Sequence, residues 1–198
     1  MCIRDRQAGS NSLDHLQGTW KTGCSSVTQF VGAQVVTTSM KDVLSFSGSE
    51  MTETVTAFSD EICAQPRASI AATYSSVVVG NNDPAVSGAT QITVVVGTIQ
   101  LTPLDAVEIV ALNNLGCGSG WSIGVAQDVT GITACGMEAS GTTLYQIFSL
   151  NPGTGSPTDV LSVGGPQVPI LSSPNFHDQA GTTATAIPTN LMLQTYSH

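Results

Sequence analysis

The side chains of this 198-residue sequence with the most chemistry to offer are its cysteines, its three histidines, its two tryptophans and one glutamate set in an apolar run. Cys24, Cys63, Cys117 and Cys135 are separated by 39, 54 and 18 residues, and no C-x-x-C pair occurs. That spacing disfavours a zinc ribbon or a dithiol redox motif. It fits two disulfides in an oxidising compartment, with buried free thiols as the alternative. Three connectivities are open. The sequential one, Cys24–Cys63 and Cys117–Cys135, is preferred because each bridge would staple a local β unit, at about 3–4 kcal/mol each in the chain-entropy account.

The histidines are His15, His177 and His198. Neither a nucleophile elbow G-x-S-x-G nor an H-E-x-x-H pair is present, so no catalytic residue and no metal ligand is assigned. Asn81–Pro84 (NNDP) is rich in oxygen but lacks the acidic spacing of a calcium loop and reads as a turn. Gly116–Gly120 (GCGSG) is followed by neither a lysine nor a helical pattern, so it does not read as a phosphate cradle. No cofactor is expected.

Glu53 shares strand parity with Met51, Val55 and Ala57. If that face points inward, the carboxylate could meet a ligand's polar group. If Phe58 sets the core face, Glu53 is solvated, and this second reading is preferred. Trp20 is expected in the core with its indole N–H on a carbonyl, the alternative being a ligand contact. Trp121, after CGSG, would cover the Cys117 disulfide or line a pocket mouth.

The elements that must position these groups read as strands between turn signals. They are Gly18–Thr22, then Asp42–Ser47 and Met51–Phe58 as a hairpin about Gly48. Ser69–Val79 and Gln91–Leu101 follow, the latter with a bulge at Gly97. Glu108–Leu112, Trp121–Ala126, Thr143–Leu150, Asp159–Val163 and Leu191–Tyr196 complete the set, and Ser25–Thr38 is ambiguous. Residues 164–188 are proline-rich and irregular. The expected fold is all-β, a single antiparallel lipocalin-like barrel or strongly curved sandwich of about ten strands, stapled by disulfides.

Composition bounds the partners. Charged residues are 10% of the chain, aromatics 5%, and the net charge is −9 with five basic residues. No basic stripe can follow a phosphate backbone, so nucleic acid is excluded as an expected partner. The first six residues, MCIRDR, resemble an in-frame translation of a sequencing-library adapter and are set aside. Residues 1–15 are expected to be artefactual and disordered, with residues 16–198 forming one domain. No run of about 18 apolar residues is present.

Gly18 and Trp20 form the glycine-x-tryptophan pair that opens lipocalin-like barrels, where the indole plugs one end. The order GTWKTGC, Phe46-Ser47-Gly48, FSDEIC, CGSGW, QDVTG, LYQIF and PTNLML resembles bacterial envelope proteins of uncharacterised function. These in turn resemble the extracellular domain of the APCDD1 family of Wnt inhibitors. The resemblance covers most of residues 16–196. Ile187 stands where that pattern has a basic residue, and Asn175–Ala186 lengthens the tail.

The resemblance implies a secreted or cell-envelope domain, periplasmic or a surface lipoprotein. A lost N-terminal lipid anchor would be its membrane contact. Its function would be non-enzymatic binding of a hydrophobic or acylated small molecule or lipid. The alternative is a structural or interaction module of the envelope with a filled core.

Overall fold

The computed structural model describes residues 12–31, 34–151, 160–164 and 191–197. The adapter-like hexapeptide, His177, His198, Ile187 and residues 165–188 of the irregular segment lie outside them. Residues 12–15 are among the described residues. Leu13–Leu16 forms a helical turn, α1, whose Leu16 is fully buried.

Ten strands follow: β1 Gly18–Thr22, β2 Ser25–Val31, β3 Gln34–Ser47, β4 Glu50–Phe58, β5 Pro66–Asn82, β6 Thr90–Pro103, β7 Gln127–Asp128, β8 Thr143–Asn151, β9 Val160–Gly164 and β10 Leu191–Ser197. All described pairings are antiparallel, in the order β1-β10-β9-β8-β6-β5-β4-β3-β2, with β7 on β6. The all-β expectation therefore stands. β1 is bonded along both edges, to β3 (Trp20 opposite Leu44) and to β10 (Thr22 opposite Tyr196).

Strand alternation sets one buried face. Leu44 and Phe46 of β3, Met51 and Val55 of β4, Ala72 and Tyr74 of β5, and Ile92, Val94 and Val96 of β6 point into it. Past Val96 the parity of β6 changes, and Ile99 and Leu101 are the buried residues. The cause is a bulge at the expected place. Tyr74 pairs with Val96 but Ala72 with Ile99, so three steps on β6 face two on β5. Gly97 is required there, since a Cβ would come within 2.6 Å of Thr73 Oγ1 and 3.0 Å of its carbonyl oxygen.

Two expected strands are not strands. Glu108–Leu112 lies inside a helix, α2 (Ala106–Leu115). Its β-branched run suggests a strand, but the ends decide. The Asp105 side chain accepts the Glu108 N–H at 2.6 Å, and Gly116 closes the last turn at φ 77°. Trp121–Ala126 is irregular chain. Gly120 and Gly124 take positive φ, and residues 122–126 are all exposed, so the segment has no face to bury.

Cys24 is bonded to Cys63, and Cys117 to Cys135. The first bridge joins the break between β1 and β2 to the turn after β4. Asp60 organises that turn by accepting the N–H groups of Ala64, Gln65 and Ile62. The bond from Ala64 leads in holding its carboxyl below the usual carboxylate range, so this turn loosens as pH falls through that depressed value. The second bridge ties the C-terminal end of α2 to a short 3₁₀ turn, Thr133–Cys135. No helix among the described residues is long and apolar enough to cross a membrane.

Candidate functional site

The buried face is not wholly apolar. Asp42 and Glu53 are 1% and 2% exposed. Leu44 pairs with Glu53 and Asp42 with Val55, so the two acidic residues are diagonal neighbours on one face, their backbones roughly 7–8 Å apart. Each accepts a tyrosine hydroxyl. Tyr74 of β5 donates to Glu53 Oε2 at 2.6 Å, and Tyr196 of β10 donates to Asp42 Oδ2. Both tyrosines are almost fully buried. The backbone at Asp42 is held as well, its N–H donating to Thr22 Oγ1 at 2.8 Å. Five strands thus supply one acid–tyrosine cluster: β1, β3, β4, β5 and β10.

Solvation of Glu53, the preferred reading above, is incorrect. The competing argument rested on Phe58 setting the core face, and Phe58 is indeed buried. Phe58 is buried on the other face of β4: its ladder to β3 runs without a shift from Phe46–Met51 to Ser39–Phe58, and the exposed Lys41 lies over its ring. Met51, Glu53 and Val55 keep the inward face, so a buried Phe58 does not decide the facing of Glu53.

Burial, foremost, pushes the Tyr196 hydroxyl well above the ordinary tyrosine value. The negative charges of Asp42 and Glu53 and the bond to Asp42 add to the rise. The consequence has a definite sign. An unfolded chain releases this proton above about pH 10, while the folded chain keeps it. The stabilisation is therefore complete below about pH 10 and declines as pH rises beyond it, by about 1.4 kcal/mol per pH unit. Urea midpoints from about pH 8 to pH 11 are expected to fall more steeply for the native chain than for Tyr196→Phe. Equal slopes would show that Tyr196 does not ionise on unfolding.

A second polar feature of the same face is Gln146 of β8, between Leu144 and Phe148 and fully buried. Its Oε1 accepts the Ile147 N–H at 2.9 Å, while its Nε2 meets no acceptor among the described residues. Trp121 Nε1 is likewise a buried donor without an acceptor among the described residues.

The other candidates separate. Trp20 is fully buried, and its Nε1 donates to the Leu16 carbonyl at 2.7 Å, with Gly18 two residues before it at φ 110°. Trp121 is 7% exposed and belongs to the same core cluster as Cys117. His15 lies on the exposed turn of α1, with Nδ1 3.1 Å from Ser12 Oγ, far from being a cleft residue. No three His, Cys, Asp or Glu side chains gather as a metal-holding group among the described residues.

Sequence reasoning missed Asp42, Tyr74 and Tyr196. The signal for Asp42 was present, since it alternates in phase with Leu44 and Phe46 of the same strand. Chemically, the cluster offers fixed acceptors in a low-dielectric interior, suited to a ligand group that donates hydrogen bonds or carries positive charge. In the comparisons with known proteins, no family model and no curated protein matches this chain, so the geometry itself carries the functional reading.

Proposed function

We propose that this chain is a non-enzymatic, extracytoplasmic binding domain. Its ligand is a hydrophobic or acylated molecule whose polar group donates to the Asp42 and Glu53 carboxylates. The observation that carries this reading is the acid–tyrosine cluster on the buried face. Buried ionisable groups are poor investments in stability alone, and apolar residues of similar volume serve as well or better. Gln146 Nε2, which meets no acceptor among the described residues, supports a ligand that also brings an acceptor oxygen, as an amide or ester does. A free fatty acid suits the site poorly, because its carboxylate would face two others.

A closed, lipocalin-like barrel of the APCDD1-like kind is the architecture proposed for this site. Its support is the double bonding of β1. Pairings run from β3 through β1, β10, β9, β8, β6, β5 and β4, which itself pairs with β3. Trp20, bonded through its indole N–H to the Leu16 carbonyl, would then plug one end. A secreted or envelope location is supported by the two disulfides.

The test is a comparison of amphiphiles of one chain length, a primary amide, an amine and a fatty acid, by native mass spectrometry. The amide or amine is expected to bind and the fatty acid to bind at least about tenfold more weakly. Glu53→Gln should weaken amide binding while costing about 1–2 kcal/mol of stability. Replacing the pair together, Glu53→Leu with Tyr74→Phe, should leave stability unchanged or raise it while abolishing binding. Absence of binding by all three probes would overturn the proposal.

In that event the second reading, an interaction module with a filled interior, is favoured. It has its own support in the large side chains that are fully buried, among them Trp20, Phe148 and Tyr196.

A further inference from the structure

Helix α2 is apolar on both sides. Ile109 and Leu112 pack inward on the core, while Val107, Val110 and Leu115 point outward, 61%, 58% and 61% exposed. A helix apolar all round ordinarily belongs in an interior. The apolar surface continues into the following loop, where Ile123 and Val125 are more than half exposed. Of the seven large apolar side chains exposed among the described residues, five lie between residues 107 and 125. Single exposed apolar residues need no explanation, but such a cluster does. The outward face also holds a groove of about 570 Å³, floored by Ala106 and Ala111 beside the Val107 and Val110 side chains.

Charge identifies the occupant. Residues 109–127 contain no charged side chain, in a chain of net charge −9 with no lysine or arginine after Arg67. Two copies approaching through the uncharged 109–127 surface bring only Glu108, already paired with Arg67, as an acidic group to the contact. At the groove margin stand one cation and one anion, Arg67 Nε and Glu108 Oε2, 2.9 Å apart and both partly exposed. A complementary partner must offer an apolar ridge, a groove of small residues, and one charge of each sign. A second copy turned by a two-fold axis offers all of these, because an isologous contact places the same patch on both sides. An anionic membrane would meet a surface whose one cation is already paired.

We propose that the chain forms a symmetric dimer through the outward face of α2 and the Ile123–Val125 loop. This contact is independent of any ligand in the interior.

Sedimentation equilibrium of the full chain over a concentration series tests it. The expected mass approaches twice 20.3 kDa. Added salt should strengthen the association by screening the net repulsion. Val110→Glu should weaken dimerisation at least about tenfold, since it would bury a charge against its own copy. Its thermal unfolding, followed at a concentration where both chains are monomeric, should be unchanged because Val110 is exposed in the monomer. Val107→Ser, a milder change, should weaken it in the same direction. A monomer at every concentration in high salt would overturn the proposal, as would a dimer unaffected by both substitutions. So would binding of phosphatidylcholine vesicles by a chain that stays monomeric.

Discussion

Trp20→Ala is expected to lower the stability of the fold by about 3–5 kcal/mol. The indole is fully buried, lies opposite Leu44 in the β1–β3 ladder, and packs with Leu16 at the corner where α1 turns into the sheet. Its removal leaves a cavity, and the Leu16 carbonyl loses the donor now 2.7 Å away, at a further cost of about 1 kcal/mol. A loss of this size is a large part of the 5–15 kcal/mol typical of a whole domain, so the variant should be marginal at body temperature. Trp20→Phe separates the two terms. It keeps most of the apolar area, loses the bond, and should cost roughly 1–3 kcal/mol. Trp121→Phe should cost less, because the indole N–H it removes has no acceptor among the described residues. Urea unfolding followed by circular dichroism orders the three. A Trp20→Ala chain within about 1 kcal/mol of the native one would show that the indole is not a packing element.

Opening the Cys24–Cys63 bridge is the other large effect. The bond closes a 39-residue separation that encloses β2, β3 and β4. Cys24→Ala with Cys63→Ala frees the unfolded chain of that constraint, and the loop-length relation puts the loss at about 4 kcal/mol. The 18-residue separation of Cys117 and Cys135 gives about 3 kcal/mol by the same relation. The two differ in what else they release. The first bridge sits beside the Asp60 turn at the edge of β4, the strand that carries Glu53, so its loss should also reduce ligand binding. The second holds α2 to the 3₁₀ turn and should leave the acid–tyrosine cluster intact. Chemical denaturation of both double variants, each with its probe affinity, checks the contrast. Equal effects on binding would show that the two bridges support the site alike.

How far the sequence could be read depends on whether each contact is local. The β3–β4 hairpin was legible because Gly48, at φ 59°, sits between two alternating runs. The bulge at Gly97 was legible because an isolated glycine in a strong strand has few other reasons to be there. Asp105 and Glu108 before an apolar run, with Gly116 after it, are helix-end signals. They outweigh the β-branched composition of α2, since caps bind specific backbone groups whereas strand propensity depends on context. Glu53 was harder, because Phe58 is buried on the opposite face of the same strand, so the largest apolar residue of β4 points to the wrong parity. Tyr196 could not be linked to Asp42 from the sequence, because 154 residues separate them and the contact exists only where β10 reaches β1.

The central claim is that Asp42 and Glu53 meet a ligand's polar group in the interior. The most direct measurement is NMR of the side-chain carboxyl carbons during titration with a long-chain primary amide. The expected result is a saturable shift of the Asp42 and Glu53 signals, with Asp60, in the turn after β4, and Asp128, exposed on β7, unmoved. A shift confined to the neighbourhood of α2, or none at saturating probe, would contradict it.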